Sequence, residues 1–270
     1  MSEPGTLDLR REARRSPLVL PPLRIDEEER AAALENWTAR MVSEHASARV
    51  FSELVVQMMR ASLPQKTIVA CSRMVEQELS HGLLCARVVA ALGGEARAPM
   101  PRILPNVPRH ESVSPIAGVL RNIVSISCCS ETVAVSLVAT ERERAGAPEL
   151  RGILDQILAD EVKHSRMGWK LLGDVLPTLS AEDRAAVDAY LPYAFEHQVD
   201  FHSPFLAMKE QSDAAVGAGA ADGPSNWACF VETITEVIVP GLDRLGLGAS
   251  EAWQETLARL PGEKRWIHAA

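Results

Sequence analysis

The chain has 270 residues and a formal net charge of −8, with 47% apolar and 24% charged residues. That composition belongs to a globular protein with a sizeable core, and the acidic balance argues against a general nucleic-acid binder. No unbroken run of about 18 apolar residues occurs, so no membrane insertion is expected. The N-terminal stretch lacks the apolar segment and small-residue cleavage site of a secretory signal. Five cysteines (Cys71, Cys85, Cys128, Cys129, Cys229) form no CxxC and no framework spacing, which fits reduced thiols of a cytoplasmic protein. The adjacent Cys128 and Cys129 read as small core residues.

Residues 1–25 combine prolines with Arg10, Arg11, Arg14 and Arg15 and read as a flexible arm. Every long segment after that carries helical periodicity, and no period-2 strand stands out. A first helix covers about residues 26–62 and stops ahead of Pro64, because the residue before proline disfavours the α region. A second spans about 65–92 and ends at Gly93-Gly94, a plausible C-terminal stop. The proline-rich "APMPRILPNVPRHESVSP" is long enough to cross from one end of a bundle to the other. A third helix covers about 115–144 up to "AGAP", and a fourth about 148–176. Two further helical regions, 181–211 and 225–260, flank "SDAAVGAGAADGPSN". Two helical hairpins joined by one long crossover predict an all-α, ferritin-like four-helix bundle over residues 26–178. Additional C-terminal helices, within 179–270, are expected to pack on it.

The fourth helix contains "LADEVKHSRMGW", which places Glu161 and His164 in an apolar stripe with Leu154, Ile157, Leu158, Gly168 and Leu171. Buried without partners, such groups cost several kcal/mol. A second Glu-x-x-His, Glu78 with His81, lies on the second helix among Cys71, Met74, Val75, Gly82 and Cys85. At i, i+3 both side chains of each pair leave the same helix face. The two remaining helices should each supply a carboxylate at the same height. On the third this is Glu131, the only acidic residue between Glu111 and Glu141. On the first, Glu44 and Glu53 lie on opposite faces. Glu44 has Trp37, Met41, Ala48 and Phe51 around it, with Arg40 and Ser47 as polar exceptions, whereas Glu53 has Arg49, Gln57 and Arg60, with Ala46, Val50 and Val56 as apolar ones, so Glu44 is chosen.

Glu44, Glu78, His81, Glu131, Glu161 and His164 thus form a candidate metal site. Four buried carboxylates repel and are driven towards the neutral form; two divalent cations relieve both effects. Oxygen and nitrogen donors without thiolate suit iron or manganese. Ser127, Cys128 and Ala134, small residues near Glu131, either leave a cavity or permit close helix packing. Glu196, His197 and His202 in "AFEHQVDFH" read as a solvated helix face, with the lining of a pocket entrance as the alternative.

These residues resemble the ferritin-like di-iron carboxylate superfamily, whose site takes a Glu from two helices and Glu-x-x-His from two others. Separations of 34, 53 and 30 residues along Glu44, Glu78, Glu131 and Glu161 are similar to those of rubrerythrins, acyl-carrier-protein desaturases and bacterial hydroxylases. "DEVKH" looks like the Asp-Glu-x-Arg-His signature of the multicomponent hydroxylases, with Lys163 in place of Arg. The resemblance implies that Asp160 orients a ligating imidazole, and Gln77 stands where the second such Asp would be. The missing CxxC pair excludes a two-domain rubrerythrin, and Ile157 stands where arylamine N-oxygenases carry an extra His. The resemblance implies two iron ions, or manganese with iron, with O2 as co-substrate. The expected reaction is hydroxylation, desaturation or N-oxygenation of a small organic substrate, with a ferredoxin or reductase as electron donor and a homodimeric assembly. Iron oxidation, peroxide scavenging and a metal-free binding role are the alternatives.

Overall fold

The computed structural model describes residues 5–100 and 107–259 and is 77% helical, an all-α protein. Four long helical segments carry the architecture: α2 (Glu27–Arg60), α3 (Gln65–Ala91), a rod from Pro115 to Arg144, and α6 (Pro148–Val175). A capping box opens α2, with Asp26 accepting from the Glu29 N–H and Glu29 accepting from the Asp26 N–H. Pro148 starts α6, where its missing N–H is harmless. Along its length α2 packs on α3, the rod packs on α6, and α3 meets α6.

The rod is not uniformly α-helical. It comprises α4 (Pro115–Ile123), a π-helical stretch (Val124–Ser130) and α5 (Glu131–Arg144), where the sequence pattern predicts one regular helix. The carbonyl of Ser125 accepts hydrogen bonds from Ser130 Oγ (3.1 Å) and Gln198 Nε2 (3.1 Å). This clamp comes from a helix 73 residues away, beyond the reach of a local pattern. By length and composition the rod is apolar enough to cross a membrane, despite its lack of an unbroken apolar run. However, 56% of its most apolar window is buried within the protein, as in a core helix.

The N-terminal segment is tied down rather than loose along its described part. β1 (Thr6–Asp8) pairs antiparallel with β2 (Arg97–Pro99) from the start of the crossover, and α1 (Arg10–Arg15) packs on α3. Leu7 and Ala13 are buried there. These are the only strands among the described residues, and each is too short to show a period. The C-terminal regions are more divided than the sequence suggests. The first holds α7 (Ala181–Asp188) and α8 (Leu191–His202), with the short α9 (Asp213–Gly217) beyond it. The second holds α10 (Gly223–Glu232), a π-helical stretch (Thr233–Ile238), α11 (Val239–Arg244) and α12 (Ala249–Arg259). The expected crossover residues 101–106 and the end of the extension, 260–270, lie outside the described residues.

The apolar core falls into two clusters, and all four long segments pass from one to the other, the rod just beyond Glu131, between Val133 and Val138. On α2 the change lies between Met41 and Phe51, on α3 between Met74 and Cys85, and on α6 between Ile157 and Leu171. Those intervals contain Glu44, Glu78 with His81, and Glu161 with His164. Close helix approach frames this layer. A Cβ built on Gly168 would lie 2.2 Å from Ser127 Cβ on the rod. Nearby, Thr132 and Ser165 share a hydrogen bond of 2.8 Å, and Trp169 Nε1 donates to Thr132 Oγ1 at 3.0 Å. Gly168→Ala is therefore expected to destabilise the protein by about 1–3 kcal/mol through overpacking, measured as a lower midpoint in denaturant titration.

Candidate metal centre

Six side chains from four helical segments converge in the polar layer: Glu44 of α2, Glu78 and His81 of α3, Glu131 of α5, and Glu161 and His164 of α6. Their ligand atoms form two overlapping groups, Glu44–Glu78–His81–Glu161 and Glu78–Glu131–Glu161–His164. Within each group the atoms lie within 4.8 Å of one another. Glu78 and Glu161 belong to both. His81 Nδ1 is 3.3 Å from Glu161 and 3.6 Å from Glu44. His164 Nδ1 is 3.0 Å from Glu78, 3.4 Å from Glu131 and 3.5 Å from Glu161. All but Glu44 are buried. Glu53 lies elsewhere, accepting from Arg49 Nε (2.9 Å) and the Val107 N–H (3.1 Å).

The outer imidazole nitrogens fix the direction of the inner ones. His81 Nε2 is 3.3 Å from Asp160 Oδ2, and His164 Nε2 is 3.1 Å from Gln77 Oε1. Gln77 Nε2 in turn donates to Asp160 Oδ1 at 2.7 Å. Gln77 thus uses its carbonyl towards His164, and both rings carry their proton on Nε2 when neutral. Each Nδ1 then presents a lone pair to the carboxylates. Lys163 Nζ, 2.7 Å from Asp160, holds this carboxylate from the solvent side.

Burial pushes the Glu78 and Glu131 carboxyls well above the carboxylate range, outweighing the opposing contacts from His164. Burial acts on Glu161 too, but contacts with His164 and His81 hold it below its usual value. Burial disfavours both imidazolium ions. Even so, Glu161 and Glu44 raise His81 to about 10, and Glu131, Glu161 and Glu78 raise His164 to about 12. The layer therefore demands positive charge. Protons meet the demand poorly: His81 Nδ1, His164 Nδ1 and Glu78 Oε1 are buried without a well-directed hydrogen bond, despite the 3.0 Å separation of the last two. The buried Glu/His cluster can hold metal ions, and its donors fit ions that accept several lone pairs at once.

A cavity of about 570 Å³ reaches Glu44, Glu78, Glu131 and Glu161. Its walls come from α2, the rod and α8. Ala134 lines it, whereas Ser127 is spent on close packing against Gly168 and Cys128 lies in the core. The solvated-face reading of "AFEHQVDFH" needs correction. Glu196 and His197 are exposed, but His197 also lines the cavity, and His202 lines it while being 94% buried. His202 packs against Phe230 with ring centroids 4.6 Å apart, an aromatic partner supplied by α10 and invisible to the local pattern. Gln198 and the Arg40–Glu141 ion pair are further elements that the sequence pattern does not single out.

Comparison of the chain with protein-family models, curated proteins and solved structures finds no match.

Glu161→Ala is expected to abolish binding of two divalent ions per chain, and Glu53→Ala to leave it intact, by metal analysis after dialysis. Asp160→Asn weakens the acceptor behind His81 and should lower metal affinity about 10–100-fold. Because His81 and His164 are protonated in the metal-free chain below about 10 and about 12, metal uptake must displace those protons. Affinity should therefore rise from pH 6 to pH 9, with net proton release measurable by calorimetry in buffers of different ionisation enthalpy.

Proposed function

We propose that the chain is a ferritin-like, non-haem di-iron oxidoreductase that uses O2 to hydroxylate, desaturate or N-oxygenate a small organic substrate. The observation that carries this reading is the pair of overlapping ligand groups sharing Glu78 and Glu161 at the wall of a cavity sized for an organic molecule. Glu44 with His81, and Glu131 with His164, would complete the two ion positions, with Glu78 and Glu161 common to both. Two irons held there would supply electrons to O2 and the oxidising power for the substrate.

The remaining work falls to the chain. Asp160 and Gln77 keep the two imidazoles facing inward, so both Nδ1 atoms are pre-oriented before an ion arrives. The two apolar clusters on either side of the layer keep bulk water from the carboxylates. The cavity wall formed by Phe51, Ile126 and Leu137 places apolar surface beside Glu131 and Glu44, where a substrate C–H or N–H can be held near the reacting centre. Electrons for turnover would come from a ferredoxin or a reductase, and a manganese/iron pair would suit the same donors.

Iron oxidation or peroxide scavenging needs the same ligands but no organic-sized cavity, so the cavity favours substrate oxidation. A metal-free binding role would leave the Nδ1 atoms and Glu78 Oε1 buried without a well-directed hydrogen bond, which disfavours it.

Anaerobic reconstitution is expected to load two irons per chain and give the Mössbauer signature of a coupled pair. Binding of fewer than about one iron or manganese ion per chain would refute the di-metal reading. Dioxygen consumption by the reduced protein should accelerate with a true organic substrate; a rate indifferent to every candidate would favour iron oxidation or scavenging.

A further inference from the structure

The charges lining the cavity can be accounted for one by one. Four are the carboxylates of the metal layer, Glu44, Glu78, Glu131 and Glu161, which two divalent ions would neutralise; this step rests on the di-metal reading. The one lysine or arginine among the described lining residues is Arg40. Its charge is already paired: its Nη2 lies 2.5 Å from Glu141 Oε2, in a pair whose side chains are only 14% and 17% exposed, while its Nη1 is buried without a hydrogen-bond partner. The ion pair bridges α2 and α5, the two helices that bring Glu44 and Glu131 to the site. Arg40 also stacks over Trp37, with Cζ 5.5 Å from the ring centroid. The buried imidazole of the wall does not change the balance. His202 is held down to about 4 by burial and the neighbouring His197, and is neutral at physiological pH. His197 sits in solvent at the rim.

A charged molecule entering this space would find no buried cation whose charge is not already paired, and an ion buried without a counter-charge is strongly disfavoured. The rest of the wall is apolar or hydroxylic apart from Asn122, whose amide is already hydrogen-bonded to Gln57, Pro108 and His110, with Phe51, Phe205, Ile126 and Leu137 set among Ser125 and Ser130.

We infer that the cavity selects an uncharged, largely apolar organic molecule, and that the Arg40–Glu141 ion pair enforces the selection by withholding the cavity's cation from anionic substrates. Glu141 is absent from the cavity wall itself. It is a specificity-determining residue that acts through Arg40.

The test uses the metal-loaded full chain and three probes of equal chain length: decanol, decanoate and decylammonium. Binding is followed by equilibrium dialysis at pH 7.5. Decanol is expected to bind at least tenfold more tightly than either ion. In Glu141→Gln the guanidinium loses its partner, so decanoate should gain about tenfold while decanol changes less than twofold. Ala134→Trp fills the cavity and should remove decanol binding, with circular dichroism and metal content checked against the parent protein. Equal or tighter binding of either ion by the parent protein overturns the inference. So does a Glu141→Gln protein of normal metal content that gains nothing for decanoate. If no probe binds, or Ala134→Trp with parental fold and metal content retains decanol, the proposed site is wrong. Metal content measured on the same samples separates the two levels. Chains that bind no metal overturn the di-metal reading and this inference together; normal metal content with decanoate preferred overturns only the selection.

Discussion

Four carboxylates and two imidazoles, placed in one layer through the middle of a helical protein, set the terms for everything packed around them. Ionised together they carry more negative charge than two imidazolium ions can cancel, and they do so where water is scarce. The apolar core is accordingly split, with one cluster on each side of the layer. The helices supplying the layer are held close by Gly168 against Ser127 and by the Thr132–Ser165–Trp169 contacts. Removing an imidazole would leave the carboxylates with still less compensation, so the layer and the fold cannot be treated as separate problems.

Outside the layer, the two halves are not equivalent. His81 is backed by a carboxylate, itself held by Lys163, while His164 is backed by the neutral amide of Gln77. Gln77 also donates to Asp160, so one hydrogen-bonded chain runs from His164 across to the acceptor of His81. A carboxylate behind an imidazole makes it a stronger donor than an amide does. His164 is nevertheless held higher, at about 12 against about 10 for His81, because three carboxylates face its Nδ1.

Much of this was legible because the relevant signals are local. Pro64, Gly93-Gly94 and "AGAP" punctuate the helices, and the two Glu-x-x-His pairs declare themselves by spacing alone. Glu44 separates from Glu53 because its neighbours one turn away are large and apolar, and the structure puts Glu53 with Arg49 and the Val107 N–H instead. What escaped the sequence depends on distant partners. β1 needs β2, some ninety residues on, and the π-helical stretch needs Gln198. The burial of His202 needs Phe230 from another helix. Arg40 looked like a polar exception beside Glu44 because its partner, Glu141, lies 101 residues further along.

The π-helical turn just before Glu131 has a consequence for how this site tolerates change. Relative to an α-helix, such a turn accommodates one extra residue, and one residue is worth about 100° of rotation about the helix axis. Regular α-helical winding through the same seven residues would swing Glu131 out of register with α6 while leaving every ligand in the sequence. The placement of this carboxylate thus depends on the winding of a seven-residue stretch as much as on its own identity. Two chains with identical ligand motifs could differ in this one respect and hold different numbers of ions.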